Sequence, residues 1–364
     1  MPRVITDLIG IQYLDVTYFT TLILVSVVLY WSYLLLLGIL LLVLTSCFCI
    51  RKKQTKQLLD VNGQGVLITG CDTGIGYTLA RKLDRLGFTV YAGCLRGTSD
   101  LRKHASKRLH VIQLDVTSDD SVSKALDYVS AHSTKTKCGV WGLVNNAGVN
   151  HIGDVEFCTM EMYRRILEVN ILGMVRVTKA FLPLIRKSEG RFVNVTSVQG
   201  RLPMPSHSVY GITKFGGENF SDALRLEMIK FGVKVSLIEP GNFGGATGML
   251  NEASLRIMRR DFDIMWEEAP QETRETYGKA YLETQYTNAT NVSSTSAPSL
   301  DPVIDAMVDA LLNSRPQTRY LIGGGNGLID VYCVLARLRD ILPTCVMDFL
   351  IDKVYSSGVP LKGN

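Results

Sequence analysis

Between Gly65 and Gly87 the chain reads "GVLITGCDTGIGYTLARKLDRLG", and no other stretch constrains the fold as tightly. A short β-rich run ends on glycine, a glycine-rich turn follows, and the next residues carry apolar side chains at helical spacing. Gly70, Gly74 and Gly76 lie in that turn. Glycine lets a backbone turn tightly and approach a ligand where a Cβ would stand in the way. The N-terminus of the helix that follows offers free N–H groups and the positive end of the helix dipole to an anion. The placement predicts the first strand and helix of a βαβ unit that cradles a pyrophosphate, with Gly70, Asp72, Thr73, Gly74, Ile75 and Gly76 as the contacts.

Downstream, "FTVYAGCL", "LHVIQLDV", "GVWGLVNN", "GRFVNVTS" and "VKVSLIEPG" read as further strands, with helical segments set between them. Strands alternating with helices predict an α/β fold, a doubly wound parallel sheet of Rossmann type. After Gly241 the regularity fades: residues 242–300 mix short helical pieces with the polar run "TQYTNATNVSSTSAPS", which reads as a surface loop. A helix near 302–313 and the strand "TRYLIG" come last. The apolar, charge-sprinkled tail from Gly327 to Tyr355 is expected to lie on a membrane, to cap a pocket as a lid, or to pack on the domain itself.

The N-terminal part is of another kind. From Val16 to Ile50 there is no charged residue, a run of 35, against the roughly 20 that cross a bilayer. It predicts a retained transmembrane anchor, either one long span or a hairpin bent near Trp31, Ser32 or Gly38. Arg51, Lys52, Lys53 and Lys56 follow, a basic flank that suits membrane lipid and places the rest of the chain on the cytosolic side. The glycosylation triplets at Asn288 and Asn291 point to the lumenal side instead. The organisation expected is 1–56 as anchor and basic flank, 57–326 as a dinucleotide-binding catalytic domain, and 327–364 as the tail. The formal net charge of +5 is largely the basic flank, and no stripe of basic and aromatic residues suggests nucleic acid. Eight cysteines are scattered without paired spacing, so no metal site is expected.

The remaining chemistry gathers at the strand ends. Asp115, with Val116, ends the third strand where an adenine edge would lie, and it equally suits the cap of the next helix. The second strand ends at Cys94, followed by Leu95 and Arg96, with no acid to hold ribose hydroxyls; Arg96 leaves NADP open. Ser197 ends a later strand, and Tyr210 and Lys214 follow four residues apart on one helix face. A phenol of ordinary pKa about 10 is a poor base at neutral pH, and a neighbouring ammonium favours its ionised form.

These motifs, with "NNAG" at Asn145–Gly148 and "EVN" at Asn170, occur in an order that resembles the short-chain dehydrogenase/reductase family from about Gly65 to Gly325. Within it the chain resembles a membrane-associated group that includes D-β-hydroxybutyrate dehydrogenase, retinol dehydrogenases and type 2 hydroxysteroid dehydrogenases. The resemblance implies a catalytic set of Asn170, Ser197, Tyr210 and Lys214: Tyr210 as base, Lys214 supporting it and binding the nicotinamide ribose, Ser197 holding the substrate oxygen, Asn170 anchoring a relay water. It implies cofactor contacts at Asn146, Ala147, Gly148, Tyr210, Lys214, Pro240 and Gly241. Gly245 stands where the family commonly has threonine, and Thr247 lies two residues on. NAD is implied, with NADP not excluded. The substrate expected is a lipophilic alcohol or ketone of steroid or retinoid type; the alternatives are (R)-3-hydroxybutyrate and, in another class, a non-catalytic dinucleotide-binding scaffold. Met249, Leu250, Leu255 and Met258 are the expected pocket lining, and a homo-oligomer is left open. The membrane expected is the endoplasmic reticulum, with the mitochondrial membrane as the alternative.

Overall fold

The computed structural model describes residues 2–53, 57–60, 63–96, 100–247, 249, 251–291, 295–327 and 329–355. Its contacts divide the chain into two units, Met1–Gln57 and Leu58–Asn364. The first is one helix, α1 (Pro2–Lys53), and the hairpin expectation gives way to it: neither Ser32 nor Gly38 breaks the helix, since the Ser32 hydroxyl donates back to the Val28 carbonyl at 2.8 Å. Within it Thr17–Ser46 is long and apolar enough to cross a membrane.

In the second unit the elements run β1 (Gly65–Thr69), α2 (Gly74–Arg85), β2 (Thr89–Cys94), β3 (Leu109–Gln113), α3 (Asp119–Thr136), β4 (Val140–Asn145), α4 (Met160–Leu167), α5 (Gly173–Lys187), β5 (Arg191–Val195), α6 (Ser208–Met228), β6 (Lys234–Pro240), α7 (Glu252–Glu268), α8 (Gln271–Tyr277), α9 (Lys279–Asn291), α10 (Asp301–Leu312), β7 (Arg319–Ile322), α11 (Val331–Leu338) and α12 (Thr344–Tyr355). The strands form one parallel sheet in the order β3-β2-β1-β4-β5-β6-β7. The period of two along each strand sorts the core onto two faces. Val66 and Ile68 pack with Leu79, Leu83, Val303 and Met307 from α2 and α10. Leu67 packs on the other face with Val129, Phe181 and Leu224 from α3, α5 and α6. Helices cover both faces, and the order reverses between β1 and β4, which opens a crevice at the strand ends there.

Two expectations are corrected after Gly241. Residues 252–291 are not irregular but form α7, α8 and α9, and the first half of the expected polar loop lies in α9. Leu282, Gln285 and Ala289 recur at helical spacing and are buried, a signal that the many Thr and Asn residues around them obscure. The tail packs on the domain: Cys333, Leu335, Ala336 and Met347 cluster with Val198 and Leu202.

Candidate active site

The turn after β1 has the shape that its glycines suggest. Gly70 and Gly74 sit at φ +71° and +63°, which L side chains rarely adopt. A Cβ on Gly76 would stand 2.3 Å from the Gly70 carbonyl oxygen and 2.6 Å from Asn146 Nδ2. Thr73 caps α2 in extended conformation with no side-chain hydrogen bond, and the first turn has no acidic residue, so no side chain competes with an anion for those amides. A strip of backbone without side chains, ending on open helix amides, fits the diphosphate of a nicotinamide dinucleotide.

Around this turn several of the residues expected to contact a cofactor also bond to the scaffold. Asn146 Nδ2 donates to the carbonyls of Thr69 (2.9 Å) and Gly70 (3.0 Å), and the Thr69 hydroxyl accepts from the amides of Asn146 (3.0 Å) and Ala147 (2.9 Å). These bonds sew the ends of β1 and β4 together. Asp115 accepts from the Thr117 amide (2.9 Å) and hydroxyl (2.7 Å), while Ser118 caps α3. Val116, beside it, is buried. The Asp72 carboxylate accepts from the backbone amides of Leu95 (2.8 Å) and Arg96 (3.4 Å). The chain therefore carries an acid at the end of β2 after all, delivered from the glycine turn.

The four residues Asn170, Ser197, Tyr210 and Lys214 converge. Asn170 sits in a π turn, Glu168–Leu172, that interrupts the run from α4 to α5. Its Oδ1 accepts from the Val149 amide (2.8 Å), and its Nδ2 donates to the Val149 carbonyl (2.9 Å) and to Thr213 Oγ1 (3.0 Å). Thr213 in turn donates to the Tyr210 carbonyl at 2.7 Å. Both amide protons of Asn170 are spent on the scaffold, which leaves its Oδ1 and its main chain as the groups able to bond a water. Ser197 Oγ accepts from the Gln199 amide (3.2 Å) and faces the Pro240 carbonyl at 3.4 Å. Gly241 is pressed against the tail: a Cβ there would meet Asp330 Oδ2 at 2.0 Å.

Tyr210 and Lys214 are both buried, and burial acts on each in the expected sense. It pushes the Tyr210 phenol well above its ordinary value, against which the Ser197 hydroxyl works. It lowers the Lys214 ammonium to about 8, with the Glu218 carboxylate opposing the change. Lys214 Nζ donates to the Val195 carbonyl at 3.1 Å and stands 5.3 Å from the centre of the Tyr210 ring. A Cβ on Gly148 would lie 3.8 Å from that Nζ, so glycine keeps the approach to the ammonium open.

Beyond the strand ends, Ile152, Phe157 and Met162 pack with Met258, Phe262 and Met265 of α7. Of the residues expected to line a pocket, Met258 is in this cluster, Met249 and Leu255 are half-buried, and Leu250 lies outside the described residues. Thr247 donates back to the Gly244 carbonyl at 3.0 Å. Several polar locks were not anticipated. Asp261 of α7 takes a two-pronged contact from Arg165 (3.1 and 2.5 Å) and meets His151 at 3.2 Å. Asp154 accepts from Tyr281 (2.6 Å), Gln285 (2.8 Å) and Ser206 (2.6 Å). Tyr355 of α12 reaches His207 Nδ1 at 3.0 Å, three residues ahead of Tyr210. Thr273 and Tyr277 of α8 donate to Glu156 (3.0 and 2.9 Å), while Tyr281 and Gln285 of α9 hold Asp154, one polar pair at a spacing of four on each helix.

Comparison with known proteins agrees with this geometry. The short chain dehydrogenase family profile matches residues 64–256. The mitochondrial D-beta-hydroxybutyrate dehydrogenase of Rattus norvegicus is 42% identical over 276 residues, covering 74% of this chain and 80% of that protein. The 11-beta-hydroxysteroid dehydrogenase type 2 of Oryctolagus cuniculus is 40% identical over 278 residues, 75% of this chain and 67% of that one. Retinol dehydrogenase 16 of Rattus norvegicus is 40% identical over 274 residues, 74% and 84% respectively. With a phosphate cradle that excludes side chains and a buried tyrosine–lysine pair beside a serine at a strand end, the chain belongs to the short-chain dehydrogenase family, whose members are NAD(P)-dependent oxidoreductases of alcohols and ketones.

Proposed function

We propose that this chain is a membrane-anchored, NAD-dependent dehydrogenase of neutral, lipophilic alcohols of steroid or retinoid type, held in the endoplasmic reticulum by residues 1–56, with 57–326 as the catalytic domain and 327–364 as a tail that walls the site. The nicotinamide, when bound, supplies the hydride acceptor. The chain handles the proton. Tyr210 Oη takes the proton of the substrate hydroxyl, Ser197 Oγ holds the substrate oxygen, and the Lys214 ammonium supports the tyrosinate against the cost of burial. Asn170, bonded through Thr213 to the Tyr210 carbonyl, fixes the helix on which base and ammonium stand.

The choice of NAD rests on Asp72. Its carboxylate lies at the end of β2, where a 2′-phosphate would meet like charge.

The choice of substrate rests on one observation: four arginines, Arg165, Arg201, Arg259 and Arg319, are already paired with carboxylates. Arg165 is held by Asp261, Arg259 by Asp263 (2.6 Å) and Glu283 (2.7 Å), Arg201 by Glu239 and Asp340 (3.7 Å each), and Arg319 by Glu239 (2.6 Å). A small hydroxy acid needs a cation or a strong donor for its carboxylate, whereas a greasy neutral alcohol needs the apolar cluster of Ile152, Phe157, Met258 and Met265. (R)-3-hydroxybutyrate is the second reading, favoured by the identity to the rat enzyme that bears its name. The test is NAD reduction by detergent-solubilised protein, offered steroid alcohols, retinols and (R)-3-hydroxybutyrate. Turnover with hydroxybutyrate that exceeds every lipophilic alcohol in kcat/KM would reverse the order of the two readings.

A further inference from the structure

One helical turn beyond Lys214 on α6 stands Glu218, and both residues are only 6% exposed. Charges this deeply buried are costly unless they are paired, and a buried ion pair is weak evidence for stability alone. Here the pairing is uneven. The Arg319 guanidinium, from β7, contacts three carboxylates: Glu218, Asp222 one turn further along α6, and Glu239 of β6 at 2.6 Å. Glu239 is fully buried and immediately precedes Pro240, whose carbonyl faces Ser197. Arg201 lies 3.7 Å from Glu239 but is shared with Asp340 of the tail, and Arg225 lies 3.3 Å from Asp222. Cys333 of α11, kept protonated by burial, is the other titratable neighbour of Glu239. The backbone at Gly200 seals the arrangement: a Cβ there would meet the Glu218 Cγ at 2.9 Å and the Lys214 carbonyl at 3.0 Å. Arg201 and Arg225 take up part of Glu239 and Asp222, so among these contacts Glu218 alone depends on Arg319, and it is the carboxylate that acts on the catalytic ammonium.

We propose that Glu218 is a positioning residue for proton transfer: framed by Arg319 and Glu239, it keeps Lys214 charged, and through Lys214 it sets the pH at which Tyr210 becomes a base. The inference rests on the dehydrogenase reading. An ionised Glu218 favours the protonated form of Lys214, and that ammonium favours the Tyr210 phenolate. Removing the negative charge lets Lys214 release its proton at lower pH, and Tyr210 then holds its own to higher pH.

The test compares Glu218→Gln, which keeps an acceptor for Arg319, with Glu218→Asp and with Asp222→Asn, in the full chain in detergent. Two readouts are taken. One is the acid limb of kcat/KM for alcohol oxidation. The other needs no substrate: the ultraviolet titration of tyrosinate, with the Tyr210→Phe counterpart of each protein subtracted, isolates one of the 15 tyrosines. In Glu218→Gln both should move up by about one pH unit, with NADH affinity unchanged, while Glu218→Asp and Asp222→Asn stay near wild type. A Glu218→Gln protein that loses thermal stability yet titrates like Asp222→Asn overturns the proposal and leaves a structural cluster. If Glu218→Gln does not fold, Glu239→Gln is read instead; it removes the like charge that favours a protonated Glu218, leaves Glu218 more fully ionised beside Lys214 and should move the titration the opposite way, to lower pH, and no movement there also overturns the proposal. Absence of any alcohol turnover in the wild type, with the tyrosinate shift present, refutes the dehydrogenase reading and not this one.

Discussion

Replacing Lys214 with methionine should make the protein more stable and nearly inactive. The ammonium has left water for a buried position with the Val195 carbonyl at 3.1 Å as its hydrogen-bond acceptor. Burial lowers its pKa from 10.5 to about 8. At about 1.4 kcal/mol per unit, that places a cost of about 3 kcal/mol on the folded state at neutral pH. Methionine has similar length and no charge, so the cost disappears together with one hydrogen bond worth about 1 kcal/mol. Glu218 keeps its contact with Arg319. The net gain of about 2 kcal/mol should raise Tm by roughly 4 °C. Turnover should fall at least about 100-fold, the low end for a group in acid–base catalysis. The pH dependence supplies the stricter check. Because the folded-state pKa lies below the unfolded one, the penalty is fully present below about pH 8 and is relieved as pH rises toward 10.5, where the unfolded chain also gives up its proton. The advantage of Lys214→Met over wild type should therefore be largest at pH 7 and shrink by pH 9.5. Paired thermal melts followed by tryptophan fluorescence at the two pH values measure it. A variant no more stable than wild type at pH 7, or an advantage that does not shrink, refutes the assignment of a buried, charged lysine.

Other expectations follow from the same site. Tyr210→Phe should lose about 100- to 10,000-fold in turnover and keep NADH binding by fluorescence titration, since the glycine turn is untouched. Gly76→Ala should abolish NADH binding, because its Cβ would stand 2.3 Å from a carbonyl oxygen that the sheet holds in place; near-normal affinity contradicts the cradle. Asp72→Asn keeps an acceptor for the Leu95 amide and removes the charge, so the ratio of kcat/KM for NAD over NADP should drop roughly tenfold.

The sequence discloses the parallel sheet because each strand is a short apolar run closed by a glycine or a polar turn, and each helix has one apolar face. Tyr210 and Lys214 were legible for a related reason: four residues apart on one helix, they needed no tertiary information to be placed together. The polar locks were not legible. Asp261 and Arg165 lie 96 residues apart, and Glu218 and Arg319 lie 101 apart. Nothing local marks such a pair. Asp72 shows a subtler limit. Its place in the glycine turn puts it among the expected cofactor contacts, yet its carboxylate serves the end of β2, where the second strand's own residues carry no acid. The helices after Gly241 were hidden by composition, since Thr and Asn weaken helix propensity and only the packing of Leu282, Gln285 and Ala289 offsets that weakness.

The strand order has a consequence for how the molecule comes together in time. β2 and β3 join β1 by nearest-neighbour pairing, and β5, β6 and β7 join β4 in the same way; among the strand pairs of the sheet, β1 with β4 alone skips intervening strands. That junction closes a loop of about 70 residues, comparable with the loop of about 78 between β6 and β7, and long closures are slow relative to local pairing. Its bonds, from Thr69 to Asn146 and Ala147, are the ones that shape the phosphate cradle. Two half-sheets can thus exist with no dinucleotide site between them, and during refolding the first moment at which NADH fluorescence is enhanced marks the joining of the halves, after most of the helix signal has already returned.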